Sequence, residues 1–193
     1  KYQKKTLLAG ELNYPERLRE HAKDLLDWKN LTLTGVYGAE PYSLEALLTW
    51  LETFGARLKP FLCDTGAELE RAQAEGKGIL FEAQLGALRD LDCGIYPYTT
   101  SSNAVAAYAP VGSGAPWLKV DEVIGVVKAY STCVGEGPFT AEYFDEKAKR
   151  LRDLGGEYGA AAGRPRRVGP FDIVASRYGI RCQGAKEIAL TKM

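Results

Sequence analysis

The sequence predicts an α/β protein with a mostly parallel sheet, flanking helices and a helical N-terminal lobe. Three apolar runs favour buried strands, at Ile79–Phe81, Val123–Tyr130 and Ile188–Thr191. Helical patterns lie between these runs, and a glycine-rich or polar loop follows most of them, which is typical of strands covered on both faces. We therefore expect a mainly helical lobe over residues 1–77 and a sheet segment with ligand-binding loops over residues 78–193.

Three amphipathic helices are predicted in the lobe. Pro15 lies at the first turn of one, which runs through leucines at helical spacing. Ser43 can cap a second helix that ends at Gly55, and Thr65 opens a third with the form of a capping box. Residues 31–36 alternate apolar and polar side chains and are predicted to form a half-buried strand.

The sheet segment is predicted to contain two further helices and one tight loop. The helices span Asp145–Leu154, which Gly155 ends, and Phe171–Ile180, which has apolar residues on one side. Pro110–Pro116 is too rich in glycine for the interior of an element and is expected to be a loop.

Composition bounds the classes of function. The chain has 193 residues, of which 46% are hydrophobic and 26% charged, so it can bury a real core. Its 25 basic and 25 acidic residues balance, so a nucleic acid or an anionic membrane gains no long-range attraction. No apolar run approaches the roughly 20 residues of a membrane span, and the charged opening KYQKK is not followed by the apolar core of a signal peptide. We expect a cytoplasmic location without a nucleic-acid or membrane partner.

Metal sites and disulfides are not supported by the cysteine and histidine pattern. The cysteines are widely separated, without a CxxC pair, and His21 is the one histidine. A zinc site would need closely spaced ligands of these types. The thiols are expected to be reduced: Cys63, Cys93, Cys133 and Cys182.

Three loops could bind an anion. The Thr99–Asn103 turn offers hydroxyls and an amide, and glycines in Ser131–Pro138 allow a ligand close to the backbone. Residues 159–167 carry three arginines, which suit bidentate capture of carboxylate or phosphate. Each loop alone also fits a surface turn or a solvated basic face, and the arginines could belong to a nucleic-acid module. Together, at one edge of a sheet, they indicate a phosphate or carboxylate ligand.

Four segments carry a family resemblance, in the order ILFEAQLGALRDLDCGIYPYTTSSN, VIGVVKAYSTCVGEGPF, GGEYGAAAGRPRRVGPFD and EIALTKM. The chain resembles the adenylosuccinate synthetase family, in its clostridial-type branch, over essentially its whole length. The resemblance implies a P-loop-related fold that is incomplete here. It also implies a GTP- and Mg²⁺-dependent ligase of AMP biosynthesis, in which IMP is phosphorylated at its 6-oxygen and aspartate then displaces that phosphate. The enzyme is expected to be a homodimer.

Matching motifs assign the site residues that the resemblance implies. Gln84 is the candidate amide for the purine, although FEAQL is shifted by one residue from the family's FEGAQ. Lys4 would reach IMP across the dimer interface. The full sets are Lys4, Gln84, Thr100, Val134 and Arg164 for IMP, Ala161, Ala162 and Arg164 for aspartate, and Arg166 and Lys192 for GTP.

Three departures from the family pattern affect this assignment. Ala161 and Ala162 replace two threonines, which should weaken aspartate binding by ~1–3 kcal/mol per lost hydrogen bond. Pro170 replaces a tryptophan. The GDEGKGK loop with its catalytic base, a nearby histidine and the aspartate that reads guanine are missing from these 193 residues. We therefore expect no catalytic or metal-binding residue in this segment and no turnover by the chain alone. A purine-monophosphate-binding domain without turnover and a deoxyguanylate-type substrate are the alternatives.

Overall fold

The chain forms two compact units, Lys1–Asp64 and Thr65–Met193. The computed structural model describes residues 4–160 and 163–193. The first unit is helical, and the second combines helices with two small sheets. All of the candidate loops belong to the second unit.

Two long helices build the first unit. They are α1 (Pro15–Gly35) and α2 (Leu44–Leu58), and the predicted cap is confirmed, because Ser43 Oγ accepts a hydrogen bond from the Ala46 N–H at 3.1 Å. The predicted end at Gly55 is wrong, since the helix continues past a glycine on which Leu12 packs. A side chain there would meet Leu12 at 2.7 Å, which explains the glycine without a helix end.

The strand predicted at residues 31–36 is wrong, because α1 continues through Gly35. Thr34 Oγ1 donates to the Asn30 carbonyl at 2.8 Å, so the hydroxyl is satisfied within the helix. Leu31 is 71% exposed, so this apolar side chain of the alternating pattern is not buried, as it would be on the inner face of a sheet. A helix satisfies its backbone locally, whereas a strand needs a neighbour.

Four α-helices of the second unit lie within the described residues. They are α3 (Thr65–Ala74), α4 (Ala109–Ser113), α5 (Glu146–Gly155) and α6 (Ile173–Gln183). Asp145 and Asp172 cap α5 and α6 by accepting from backbone N–H groups. The loop predicted at Pro110–Pro116 is partly wrong, because a proline near the start and a left-handed glycine at the end bound the short α4. No helix within the described ranges is long and apolar enough to cross a membrane.

The sheets are small and mixed. Strand β1 (Ile124–Lys128) pairs in parallel with β4 (Glu187–Thr191), which confirms two predicted strands. Strands β2 (Ser131–Cys133) and β3 (Arg167–Gly169) form an antiparallel pair that the sequence pattern did not reveal. The expectation of one mostly parallel sheet is therefore wrong.

The strand predicted at Ile79–Phe81 is also wrong. Within the described part of the chain this run pairs with no strand, and Leu80 is 92% exposed. Apolar composition favours a strand only where a neighbouring strand can satisfy the backbone.

Candidate functional site

The Thr99–Asn103 turn is held against the segment at residues 89–91. The Thr100 N–H donates to the Arg89 carbonyl at 2.7 Å, and the Leu91 N–H donates to the Ser102 carbonyl at 3.1 Å. Thr100 Oγ1 and Ser102 Oγ lie 3.3 Å apart. The backbone of this hydroxyl-rich turn is therefore fixed by main-chain bonds, while the Asn103 side chain donates to Asp92 Oδ2 at 2.7 Å.

Asp90 anchors the far end of the same turn. Its fully buried carboxylate accepts hydrogen bonds from the backbone N–H groups of Asp92, Cys93, Ala104 and Val105, at 2.5–3.2 Å. Burial acts to raise the pKa of Asp90, but the four donors together hold this pKa below its usual value. The carboxylate is thus charged at neutral pH and ties the two sides of the turn together.

A cavity of about 400 Å³ lies beside this turn. Gln84, Ser102, Asn103 and Tyr108 contribute polar groups to its lining. Leu85, also in the lining, has φ of 81°, a conformation that is strained for a leucine and often found at binding sites. Gln84 therefore shares one cavity with Ser102 and Asn103 of the predicted turn, whereas Thr100 does not line it, and the volume suits a small ligand.

The part of the second loop that follows β2, residues 134–138, is joined to the turn by Arg89. The guanidinium donates to the Tyr98 carbonyl at 2.5 Å, and to the carbonyls of Val134 and Glu136 at 2.9 and 3.0 Å. Val134 itself is largely exposed. Arg89 thus connects the segments that carry Thr100 and Val134.

Arg167 fixes the opposite side of the second loop. Its guanidinium donates to the carbonyls of Gly135 and Gly137 at 3.3 and 2.8 Å and forms an ion pair with Glu142. Cys133 lies opposite Arg167 in the β2–β3 register. The second loop therefore leaves the antiparallel pair at the end where the third loop enters it.

The third loop is closed by a short bridge between Tyr158 and Pro165. The Gly159 N–H donates to the Arg164 carbonyl at 2.8 Å, and the Arg164 side chain is exposed. Ala161 and Ala162, which were predicted to contact aspartate, lie outside the described residues.

Glu157 is the charged centre beneath this loop. Its side chain is 1% exposed and accepts bonds from Lys128 at 2.8 and 2.9 Å, Tyr130 at 2.6 Å and Arg166 at 2.9 Å. Burial acts to raise the pKa of Glu157, but these donors hold it below its usual value. Burial, with the hydrogen bond to Glu157, raises the pKa of Tyr130 to about 12. One carboxylate between two cations leaves one positive charge in excess, which favours an anionic ligand nearby.

Arg166 and Lys192, the two residues predicted to bind GTP, both contact the segment at residues 155–157. Lys192 Nζ donates to the Gly155 carbonyl at 2.7 Å, and Arg166 binds Glu157 two residues further on. Lys4 is exposed in the first unit, and its predicted role across a dimer interface stays a prediction.

Side chains of the types that bind metal ions do not cluster among the described residues. Within residues 4–160 and 163–193, no group of three or more His, Cys, Asp or Glu side chains could hold a metal ion. The four cysteines are free. His21 pairs with Glu11 at 2.6 Å in the first unit.

Sequence reasoning missed three residues that organise the site, and Asp90, next to Arg89 in the chain, is the first of them. Arg89 stands between apolar leucines in ALRDL, where an isolated arginine is a signal of a buried polar contact. Glu157 is an acidic residue within the glycine-rich GGEYG stretch. Ser102 and Asn103 belonged to the predicted turn but were not assigned a role.

The chain is similar to known proteins over its whole length. A family model described as adenylosuccinate synthetase matches residues 1–193. Adenylosuccinate synthetase of Nitratidesulfovibrio vulgaris is 43% identical over 185 residues, covering 96% of this chain and 43% of the relative. The Caldanaerobacter subterraneus protein of that name is 43% identical, covering 100% of this chain and 46% of the relative. The chain thus spans less than half the length of these relatives.

Two solved structures are similar. The fully ligated adenylosuccinate synthetase from Plasmodium falciparum superposes with a TM-score of 0.89 at 31% identity, covering 99% of this chain and 44% of that one. The cyanophage S-2L succinoaminodeoxyadenylate synthetase, bound to dGMP and dATP, gives a TM-score of 0.50 at 24% identity. That match covers 67% of this chain and 39% of the cyanophage chain, and it indicates a shared fold alone.

Proposed function

The chain belongs to the adenylosuccinate synthetase family, and we propose that it supplies part of a GTP-dependent ligase that joins IMP and L-aspartate to give adenylosuccinate. The central support is the connection of two candidate loops to one arginine. Arg89 holds the segments of both Thr100 and Val134, and Arg167 holds the second loop beside the third. Three loops anchored in this way can act on one ligand.

The proposed roles follow from the chemistry of each group. Thr100 and the neighbouring hydroxyls donate to the 5′-phosphate of IMP, because phosphate oxygens need several directional donors. Gln84 lies in the adjoining cavity, where its amide can bind the polar edge of a purine. Arg164 is exposed and free to bind a carboxylate or phosphate.

Arg166 and Lys192 are proposed to bind the GTP side. Glu157 holds Arg166 in one orientation. Lys128 and Arg166 together carry two positive charges, of which Glu157 balances one, and the remaining charge favours a phosphate. In the proposed reaction, phosphorylation of the 6-oxygen of IMP makes that oxygen a good leaving group, and the amine of aspartate then displaces it. Clamping of two anionic substrates is the contribution of this segment.

Mg²⁺ is implied by the family, but the described residues do not fit a complete site for it. They contain no cluster of three metal-type side chains, so we assign no Mg²⁺ ligand among them. Aspartate binding rests on Arg164, because alanines at 161 and 162 have no hydrogen-bonding side chain. A homodimer with Lys4 acting across the interface and a cytoplasmic location remain part of the proposal.

Isothermal titration with IMP tests the binding site. We expect wild-type chain to bind IMP, and Thr100→Ala to lose roughly 1–3 kcal/mol of binding free energy with one charged hydrogen bond. Thr140→Ala, at an exposed position, is the matched control and should bind as wild type does. Absence of heat with wild type, or unchanged affinity of Thr100→Ala, would contradict the proposal.

A turnover assay separates the ligase from a binding domain without chemistry. The assay adds GTP, Mg²⁺ and aspartate to the IMP-bound chain and measures adenylosuccinate. Product would favour the ligase and contradict the expectation of no turnover by the chain alone. Heat without product fits both candidates, and titration of the IMP-bound chain with aspartate then decides between them, because only the ligase segment should bind aspartate. Parallel titration with dGMP tests the deoxyguanylate alternative.

A further inference from the structure

Arg89 joins two segments that lie far apart in the sequence. One side of its guanidinium bonds the Tyr98 carbonyl, and the other side bonds the carbonyls of Val134 and Glu136. Its own carbonyl accepts the Thr100 N–H at 2.7 Å. A single half-buried residue therefore touches both predicted ligand loops through main-chain groups.

The guanidinium suits this geometry. It is planar and rigid, with several donors in fixed directions, so it can hold carbonyls on both sides at a set separation. A lysine ammonium carries the same charge on a flexible stem and offers donors from one point. The spacing of the two segments therefore depends on the shape of this side chain as well as on its charge.

A second contact shows that the segments are in close approach. Gly137 has φ of 111°, and a side chain there would lie 2.8 Å from Cγ of the Tyr98 ring. The loop that carries Val134 thus lies against the residue that precedes Thr99 and Thr100. Arg89 and this contact therefore both hold the Val134 loop against the Thr100 turn, at what is called the junction below.

Each segment also has an anchor of its own. Asp90 accepts four backbone bonds around the turn, and Arg167 binds two carbonyls of the second loop. Both segments should therefore keep their local structure without Arg89. What Arg89 adds is their separation.

We propose that Arg89 is a positioning residue, which sets the distance between the Thr100 turn and the Val134 loop so that both can bind one nucleotide. The inference rests on the proposed function, because it takes IMP as the ligand that spans the two loops. Arg89 bonds the protein's own carbonyls and does not itself need to touch the ligand. Its substitution should therefore affect ligands that reach both loops.

The test compares Arg89→Lys with wild type, and Arg177→Lys, at an exposed position of α6, serves as the matched control. We expect Arg89→Lys to weaken IMP binding by about tenfold or more, as charged hydrogen bonds on one side are lost. Inorganic phosphate, which needs the turn alone, should bind Arg89→Lys and wild type alike in an NMR titration. The unfolding midpoint should stay close to that of the control.

A ligand-free readout separates the two proposals. The nuclear Overhauser effect between the Tyr98 ring and Gly137 reports the junction directly, and we expect it to weaken in Arg89→Lys. Unchanged IMP affinity, or an unchanged Overhauser effect, overturns the role of Arg89. Equal losses for IMP and phosphate also overturn it, because they indicate damage to the turn itself. If wild type fails to bind IMP while the Overhauser effect still weakens, the proposed function fails and the spacing role stands.

Discussion

Substitution of Asp90 by asparagine should destabilise the second unit and release the turn that carries Thr100. The carboxylate is 0% exposed and accepts four backbone N–H groups, two on each oxygen. Asparagine has nearly the same shape, but one of its two polar atoms is a donor. Two N–H groups, buried or partly buried, would then face an NH₂ group and remain without an acceptor.

The magnitude follows from those two groups. Each unpaired buried donor costs about 1–3 kcal/mol, so the free energy of unfolding should fall by about 2–6 kcal/mol. The matched control is Asp27→Asn, which removes an exposed ion pair with Lys23 at 3.0 Å and should change stability by less than about 1 kcal/mol. The contrast isolates burial, because the chemical change is the same.

Denaturant unfolding followed by far-UV circular dichroism measures the loss, and amide hydrogen exchange locates it. Exchange of the Cys93 and Ala104 amides should become faster in Asp90→Asn, because these amides lose or weaken their acceptor. Exchange in the first unit should not change. Exchange at Cys93 and Ala104 equal to wild type would refute the assignment of Asp90 as the anchor.

The pH dependence gives an independent check. The pKa of Asp90 is lower in the folded than in the unfolded state, so its stabilising contribution is present above the unfolded pKa of about 3.9. That contribution is lost as the pH falls through the folded value. The stability difference between wild type and Asp90→Asn should therefore be full at pH 7 and shrink below about pH 4. A difference that grows in acid would contradict this reasoning.

Three further substitutions test the rest of the site. Glu157→Gln leaves Lys128 and Arg166 without a buried anion, so denaturant unfolding should show a loss of about 3–5 kcal/mol at pH 7. Because the folded pKa of Glu157 is lowered, this loss should diminish below about pH 4, and a constant loss would contradict the charge argument. Gly137→Ala should weaken IMP binding in calorimetry, because a methyl group meets the Tyr98 ring and φ of 111° is strained for alanine. Gly169→Ala should lower the thermal unfolding midpoint, since its methyl group would overlap the Ala141 carbonyl. That carbonyl belongs to the backbone and cannot rotate away. An unchanged midpoint would show that this segment can shift.

Local rules predicted where α2, α5 and α6 begin, to within two residues, and two of the strands. Ser43 caps α2 as its side chain suggests, and α5 and α6 begin at aspartates whose oxygens accept backbone bonds. The parallel pairing of β1 with β4 follows from two apolar runs separated by helices. These features depend on residues close in sequence or on strong apolar patterns.

The antiparallel pair β2–β3 could not be predicted in the same way. Its strands have three residues each, STC and RVG, which is too short for a periodic pattern to appear. Their pairing joins Cys133 to Arg167 across a long stretch of chain. Conversely, Ile79–Phe81 has the right composition for a strand but no partner among the described residues.

The sequence did not reveal the charged side chains that hold the site loops, because their hydrogen-bond partners lie far away in the sequence. The predicted ligand residues Thr100, Val134 and Arg166 are polar, exposed or next to glycines, so motif spacing could find them. Among the groups that hold their segments, Glu157 is buried and Arg89 is half-buried, and their partners lie 9–47 residues away for Arg89 and 9–29 for Glu157. A buried charge with full hydrogen bonding resists displacement, because any shift leaves it unpaired at a cost of several kcal/mol. Loops that bind phosphate must keep their donors in fixed positions. The charged side chains that anchor these loops therefore add rigidity, which the short β2–β3 pair alone would not provide.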